Sequence, residues 1–168
     1  MYSGVYTDLE KCIREVFFVV SATFSSTGFG LADYELWPVS CQILIFGILF
    51  VGGCAGSTSG GIKIIRHLIL AKFAYQQLYL LIHPRAVARV KIGDQVITAQ
   101  VLFGVLGFVV LWFGLYALGT LAMGLCGLDF ITANSAVASC LCNVGPGLGA
   151  VGPLDNFGHI STIGKWIL

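Results

Sequence analysis

Charged residues along this chain come in bursts, separated by long stretches that have none. Between Asp94 and Asp129 lie 34 residues without Asp, Glu, Lys or Arg. At ~1.5 Å per residue that is about 50 Å of helix, enough to cross a ~30 Å hydrocarbon core with tilt and overhang. Between Glu35 and Lys63 lie 27 uncharged residues of two kinds. Val39 to Val51 is densely apolar and predicts a helix. Gly52 to Gly61 reads GGCAGSTSGG, with five glycines, three hydroxyls and no large apolar side chain. Such a segment does not hold a regular lipid-facing helix. Non-helical backbone at that depth is tolerated only inside protein or beside water, so an apolar helix interrupted by an internal loop is expected.

Two further uncharged stretches, Val16 to Ala32 and Phe130 to Leu154, start as helices and end in glycine-bearing loops: SATFSSTGFGLA and NVGPGLGAVGP. Each helix is too short to span, which predicts two re-entrant elements. Thr7-Asp8-Leu9-Glu10 fits a capping box at the start of the first helix, with Thr7 as the cap. Asp129 is the expected cap of the second, which runs through Thr132-Ala133-Asn134-Ser135-Ala136-Val137.

Composition excludes the alternatives. Of 168 residues, 57% are hydrophobic and 10% charged, with a mean hydropathy of +0.91. Soluble domains carry about 25% charged residues, so this chain cannot cover itself with a solvated surface. A net charge of +1 offers no field for a polyanion, and nucleic acid is not an expected partner. The start, Met1 to Lys11, lacks the basic region and apolar run of a signal peptide. The six cysteines, Cys140-x-Cys142 included, lack zinc-ligand spacing and read as small packing residues. Six of the nine basic residues (Lys63, Arg66, Lys72, Arg85, Arg89, Lys91) fall between positions 63 and 91 with no acid among them. The positive-inside rule makes residues 63–95 cytoplasmic and brings both re-entrant loops in from the external side. Asp33, Glu35, Asp129 and Asp155 then lie outside with them.

The two loops are related. Gly28 placed on Gly145, an offset of 117, lays Ser26-Thr27-Gly28-Phe29-Gly30-Leu31 over Asn143-Val144-Gly145-Pro146-Gly147-Leu148, with Gly, Gly and Leu identical. Internal repetition of this kind is common in transport folds. The arrangement suits a dehydrated monovalent cation, because backbone carbonyls replace its water as neutral dipoles without trapping it. Gly28 and Gly145 would allow the required dihedrals. The preceding helices aim their partially negative C-termini at the loops. Ser26, Thr27 and Asn143 are placed to brace the strand by hydrogen bonds, and Asp33, Glu35 and Asp155 to concentrate cations at the mouth.

Three segments, SATFSSTGFGLADYELWP (Ser21 to Pro38), GGCAGSTSGGIKIIRHLIL (Gly52 to Leu70) and NSAVASCLCNVGPGLGAVGP (Asn134 to Pro153), resemble the Trk/Ktr/HKT-type potassium transporter family, in particular its TrkH-like membrane subunit. The resemblance implies an all-α membrane protein of repeated helix–pore helix–filter loop–helix units of the potassium-channel-like type. Residues 1–80 would hold most of repeat three, 81–95 a cytoplasmic connection, and 96–168 most of repeat four. It implies potassium uptake through a filter formed by Ser26, Thr27, Gly28 and Phe29 together with Asn143, Val144, Gly145 and Pro146, with K⁺ contacts at Thr27, Gly28, Val144 and Gly145. The gate would be the intramembrane loop Gly52, Gly53, Gly56, Ser57, Thr58, Ser59, Gly60 and Gly61, with Lys63 at its cytoplasmic exit. Further implications are a multi-pass protein of the plasma (inner) membrane in contact with lipid, a homodimer, and a cytosolic nucleotide-binding regulatory subunit of the TrkA/KtrA-like kind. No covalently bound cofactor is expected, and Na⁺ or H⁺ are the candidates for co-transport. Relatives place an arginine in the last inward helix, beyond Leu168. A fourfold ring does not close from two loops, so repeats one and two are expected on further sequence or on an associated chain.

Rival readings are weaker. Gly56 to Gly61 gives the G-x₄-G of a phosphate-binding loop, but Ile62 stands where Lys is required. His67, His83 and His159 do not converge on an enzyme site. A Na⁺- or H⁺-coupled secondary transporter of another fold shares most of this physics and stays open, as does a non-conducting fragment or subunit.

Overall fold

The computed structural model describes residue 6 and residues 8–86, 89–93 and 95–168. Six α-helices dominate: α1 Leu9–Phe24, α2 Val39–Leu49, α3 Ile64–Ile82, α4 Ala99–Leu125, α5 Phe130–Leu141 and α6 Thr162–Ile167. One-turn 3₁₀ segments at Tyr34–Leu36, Gly149–Val151 and Phe157–His159 join them. Two minimal strand pairs complete the fold. β1 Val51–Gly52 and β2 Ile62–Lys63 run parallel, Val51 opposite Ile62, while β3 Lys91–Ile92 and β4 Gln95–Val96 form an antiparallel hairpin.

The element starts follow from local chemistry. Asp8, not Thr7, caps α1: its carboxylate accepts from the Glu10 N–H at 3.1 Å, and Thr7 lies outside the described residues. An ionised carboxylate next to the first turn also complements the helix dipole, which a hydroxyl does not. Asp129 caps α5 as expected, accepting from the Thr132 N–H at 3.2 Å. The Thr132 hydroxyl first, and then this N–H, hold its carboxyl below the usual range. Thr98 caps α4, the one described helix long and apolar enough to cross a membrane.

The uncharged run before Lys63 breaks where its composition predicts. α2 ends at Leu49, the chain leaves helical geometry, and α3 starts at Ile64. The break is closed at its neck by the parallel pair and by Ile62 N–H to Phe50 O (3.2 Å) and Ile64 N–H to Gly53 O (3.3 Å). The interrupted helix resumes through the basic stretch. Most of it is α3, and its Arg66 guanidinium stacks 3.7 Å from the Phe108 ring centroid on α4. An arginine beside lipid-facing segments is shielded by such a ring more cheaply than by nothing.

Three buried clusters tie the elements together. Met123 of α4 packs with Ala133, Ala136 and Val137 of α5 and with Val151 and Ile160. Val19 of α1 packs with Ala32, Tyr34, Trp37 and Ile45. Leu49, Ile62, Trp112, Cys142 and Val144 form the third, which joins both ends of the helix break to α4 and to the loop after α5. Phe50, at the break, sits edge-on to Trp112 (5.5 Å) and Tyr116 (5.7 Å). Each such aromatic pair adds about 0.5–1.5 kcal/mol beyond its buried area.

Candidate functional site

α1 and α5 end in the same way, residue for residue, at the offset of 117. In α1, Ser26 N–H bonds Thr23 O (3.1 Å) and Thr27 N–H bonds Ala22 O (2.9 Å). In α5, Asn143 N–H bonds Cys140 O (3.0 Å) and Val144 N–H bonds Ser139 O (3.0 Å). This pair of reversed bonds is the Schellman motif, which needs a left-handed residue just past the helix. Ser26 (φ 56°) and Asn143 (φ 54°) supply it, and they are the two non-glycine residues with positive φ among the described residues. Gly28 (φ 71°) and Gly145 (φ 107°) follow, two positions on in each loop. Left-handed geometry at a non-glycine costs about 1–2 kcal/mol, which the two local helix-ending hydrogen bonds in each loop offset.

The two loops touch. A methyl on Gly28 would stand 1.8 Å from the Val144 carbonyl oxygen and 3.2 Å from the Pro146 ring. Two residues on, a methyl on Gly30 would meet the Pro153 carbonyl at 2.7 Å. The sequence-identified residues 26–29 and 143–146 therefore converge, with a carbonyl of one loop set against the α-carbon of the other. Within the first loop Thr27 Oγ1 lies 2.6 Å from Ser25 Oγ. Asn143, expected to brace by hydrogen bonding, instead contributes its left-handed backbone, and its Cβ lies against Gly60.

The glycine-rich break lies on both loops at once. Gly60 N–H donates to Ser26 Oγ at 3.2 Å, so the Ser26 side chain braces the break rather than its own strand. A methyl on Gly60 would stand 2.0 Å from the Cys142 carbonyl oxygen. Gly60 is thus the one residue small enough to fit between the two loops. Inside the break, Gly53 N–H donates to Ser59 Oγ (2.8 Å), and Ser57 Oγ bonds Cys54 O (2.7 Å). Lys63 does not point away from the break. Its ammonium returns to Ser57 O (2.8 Å), Ser57 Oγ (3.1 Å) and Ser59 Oγ (3.3 Å), and it also donates to the Ser59 carbonyl.

The acids near the loops divide their work differently from a simple attracting ring. Asp33 accepts from the Glu35 N–H. Glu35 turns inward, and its carboxylate accepts from the Gly149 N–H of the other repeat. Burial pushes the Glu35 carboxyl up from the ordinary 4.5; the Gly149 N–H opposes this, and Asp33 and Asp155 add to it. The buried Tyr34 hydroxyl donates to the Gly147 carbonyl at 2.6 Å. Tyr34 and Glu35 thus brace the exit of the second loop, a role that sequence reasoning missed. The available signal was an Asp-Tyr-Glu run set between Leu31-Ala32 and Leu36-Trp37. α5 adds its own braces: Ser135 Oγ donates to Leu148 O (2.6 Å), and Thr132 Oγ1 accepts from Ala150 N–H (3.0 Å). No cluster of three or more His, Cys, Asp or Glu side chains suited to a metal ion occurs among the described residues. The oxygens the two loops bring together, the Val144 carbonyl and the Thr27 and Ser25 hydroxyls among them, are neutral, a donor type suited to an alkali ion.

Comparison with known proteins places these features. The family described as TrkH, cation transport protein, matches residues 5–168. The Trk system potassium uptake protein TrkH of Escherichia coli (strain K12) is 36% identical over 167 residues, covering 99% of this chain and 34% of that protein. The protein of the same name from Halomonas elongata is 39% identical over 166 residues, covering 97% of this chain and 33% of its own length. The crystal structure of the potassium transporter TrkH from Vibrio parahaemolyticus superposes with a TM-score of 0.89 at 35% identity, over 97% of this chain and 34% of that one. The fold is accordingly that of a potassium-channel-like helical membrane protein. The chain spans about a third of the length of these relatives.

Proposed function

The chain belongs to the TrkH family of cation transport proteins, and from that premise we propose that it forms part of a pathway for K⁺ uptake across the membrane. The relatives bear the name of potassium uptake proteins. The observation that carries the reading for this chain is the pair of matched loop turns, with Gly28 against the Val144 carbonyl. Carbonyls of Ser26, Thr27 and Gly28 and of Asn143, Val144 and Gly145 line part of a selectivity filter, and loops from two further repeats complete the ring. K⁺ is the substrate, stripped of water by neutral oxygens.

The Gly52–Gly61 loop is the gate of this pathway. Its contact with both filter loops through Gly60 supports that role. The protein is a multi-pass component of the inner membrane, with residues 63–95 cytoplasmic and the filter loops external. It assembles as a homodimer, and a cytosolic nucleotide-binding subunit docks on the basic face between Lys63 and Lys91. Coupling to Na⁺ or H⁺ is read from flux measured against imposed gradients.

Gly28→Ser in the intact transporter tests the filter. K⁺ over Na⁺ discrimination in an uptake assay falls; unchanged discrimination removes Gly28 from the filter. Deleting Gly56 to Gly60 tests the gate. Uptake rises several-fold, as expected when an obstruction worth about 1 kcal/mol or more is removed. A fall in uptake by protein that still assembles refutes the gate.

A further inference from the structure

Lys63 carries three N–H donors and no acceptor. A lysine that merely marks membrane topology extends its ammonium to water. This one is half-buried and folds back so that all the oxygens it meets belong to two residues of the glycine-rich break: the carbonyls and the hydroxyls of Ser57 and Ser59. Four oxygens saturate three donors, which is how a charge with restricted access to water is made tolerable. The same break touches the first filter loop through Gly60 N–H and Ser26 Oγ, and the second through Gly60 and the Cys142 carbonyl. Apart from the bonds at its neck and among its own residues, the break is held by this lysine and by its contacts with the two loops. Its residues from Cys54 to Thr58 are exposed, and its side chains are small.

We propose that Lys63 is the positioning residue of the glycine-rich loop: its ammonium clasps Ser57 and Ser59 and thereby holds Gly60 against both filter loops, the obstructing position. This rests on the gate reading above and adds what keeps that gate shut. When the clasp opens, the loop loses its strongest charge-assisted contacts and Gly60 leaves the filter mouth. Lys63 acts through the loop and does not itself contact the permeating ion.

The test uses the full-length transporter with three variants and two readouts. The variants are Lys63→Met, Ser57→Ala/Ser59→Ala, and all three substitutions together. The readouts are amide hydrogen exchange across residues 52–61 and Rb⁺ uptake. Lys63→Met is expected to speed exchange in the loop about tenfold or more, the scale of a lost charge-assisted hydrogen bond, and to raise uptake. Ser57→Ala/Ser59→Ala, which leaves every charge and hence the topology unchanged, shifts both readouts the same way by less. The triple variant falls clearly short of the combined effects of the other two, because the serine hydroxyls act partly through the lysine and partly through the Gly53 N–H and the Cys54 carbonyl. Unchanged exchange in Lys63→Met overturns the clasp, and so does full additivity in the triple variant. Faster exchange without a rise in uptake upholds the clasp and overturns the gate reading, so the two failures are told apart.

Discussion

The two filter-like loops share a backbone and differ in what supports it. Both leave a helix through the same pair of reversed hydrogen bonds, with Ser26 and Asn143 in the left-handed region. Around that common hinge the settings diverge. α5 buries Thr132, Ala133, Ser135, Ala136, Val137, Ala138 and Ser139, whereas α1 buries only Val19 and Thr23. Ser135 and Thr132 fasten the second loop to its own helix, while at the matching positions α1 has Phe18 and Glu15. Val144 is buried in the cluster with Trp112, while its counterpart Thr27 is exposed. A hinge specified by local helix-ending chemistry can therefore recur with little sequence identity, and tertiary contacts then adapt each copy.

The largest test of that comparison pairs Gly28→Ser with Gly145→Ser. At Gly28 a side chain meets both a positive φ and the Val144 carbonyl. Strain and overpacking together cost roughly 2–5 kcal/mol. A methyl on Gly145, also at positive φ, would meet nothing within 4 Å in the described chain beyond its own neighbours in sequence. If a ring of loops closes as proposed, a neighbouring loop covers Gly145, and both variants lose K⁺ over Na⁺ discrimination alike in the intact transporter. A much milder Gly145→Ser breaks the equivalence of the two loops.

Next in size are the braces that only the second loop has. Tyr34→Phe and Ser135→Ala each remove one hydrogen bond to a carbonyl that follows Pro146. Each is expected to lower stability by about 1 kcal/mol, since both residues are buried and each change leaves a carbonyl without its donor. Thermal unfolding in detergent measures both, and no loss in either would mean the second loop is held by α5 packing alone.

The smallest effect is a pH dependence. The Glu35 carboxyl is raised above the ordinary 4.5 by burial. Between 4.5 and its folded value, the folded protein keeps a proton that the unfolded chain has lost. Its contribution to stability is therefore full below 4.5 and is lost as pH rises through the folded value. Glu35→Gln is expected to flatten the slope of stability against pH in that window, and an unchanged slope assigns it to other groups.

Much of this was legible from residue order. The break at Gly52–Gly61, the cap at Asp129, the long apolar helix before it and the 117-residue repeat all appeared where expected, since glycine content, caps and apolar runs act over a few residues. The cap of α1 moved from Thr7 to Asp8, because a carboxylate and a hydroxyl one residue apart compete for the same free N–H groups. The helix that resumes after the break was legible as the second half of an interrupted helix, and α3 covers Ile64–Ile82.

Residue order alone determined the family resemblance, the two turns and the place of the helix break, because each is written in neighbours along the chain. Tertiary structure decided that Gly28 lies under the Val144 carbonyl, that Gly60 fits between the loops, that Glu35 turns inward and that Lys63 folds back. These depend on which distant groups share a space too small or too dry for anything else, and burial and pairing belong to that space rather than to any segment of sequence.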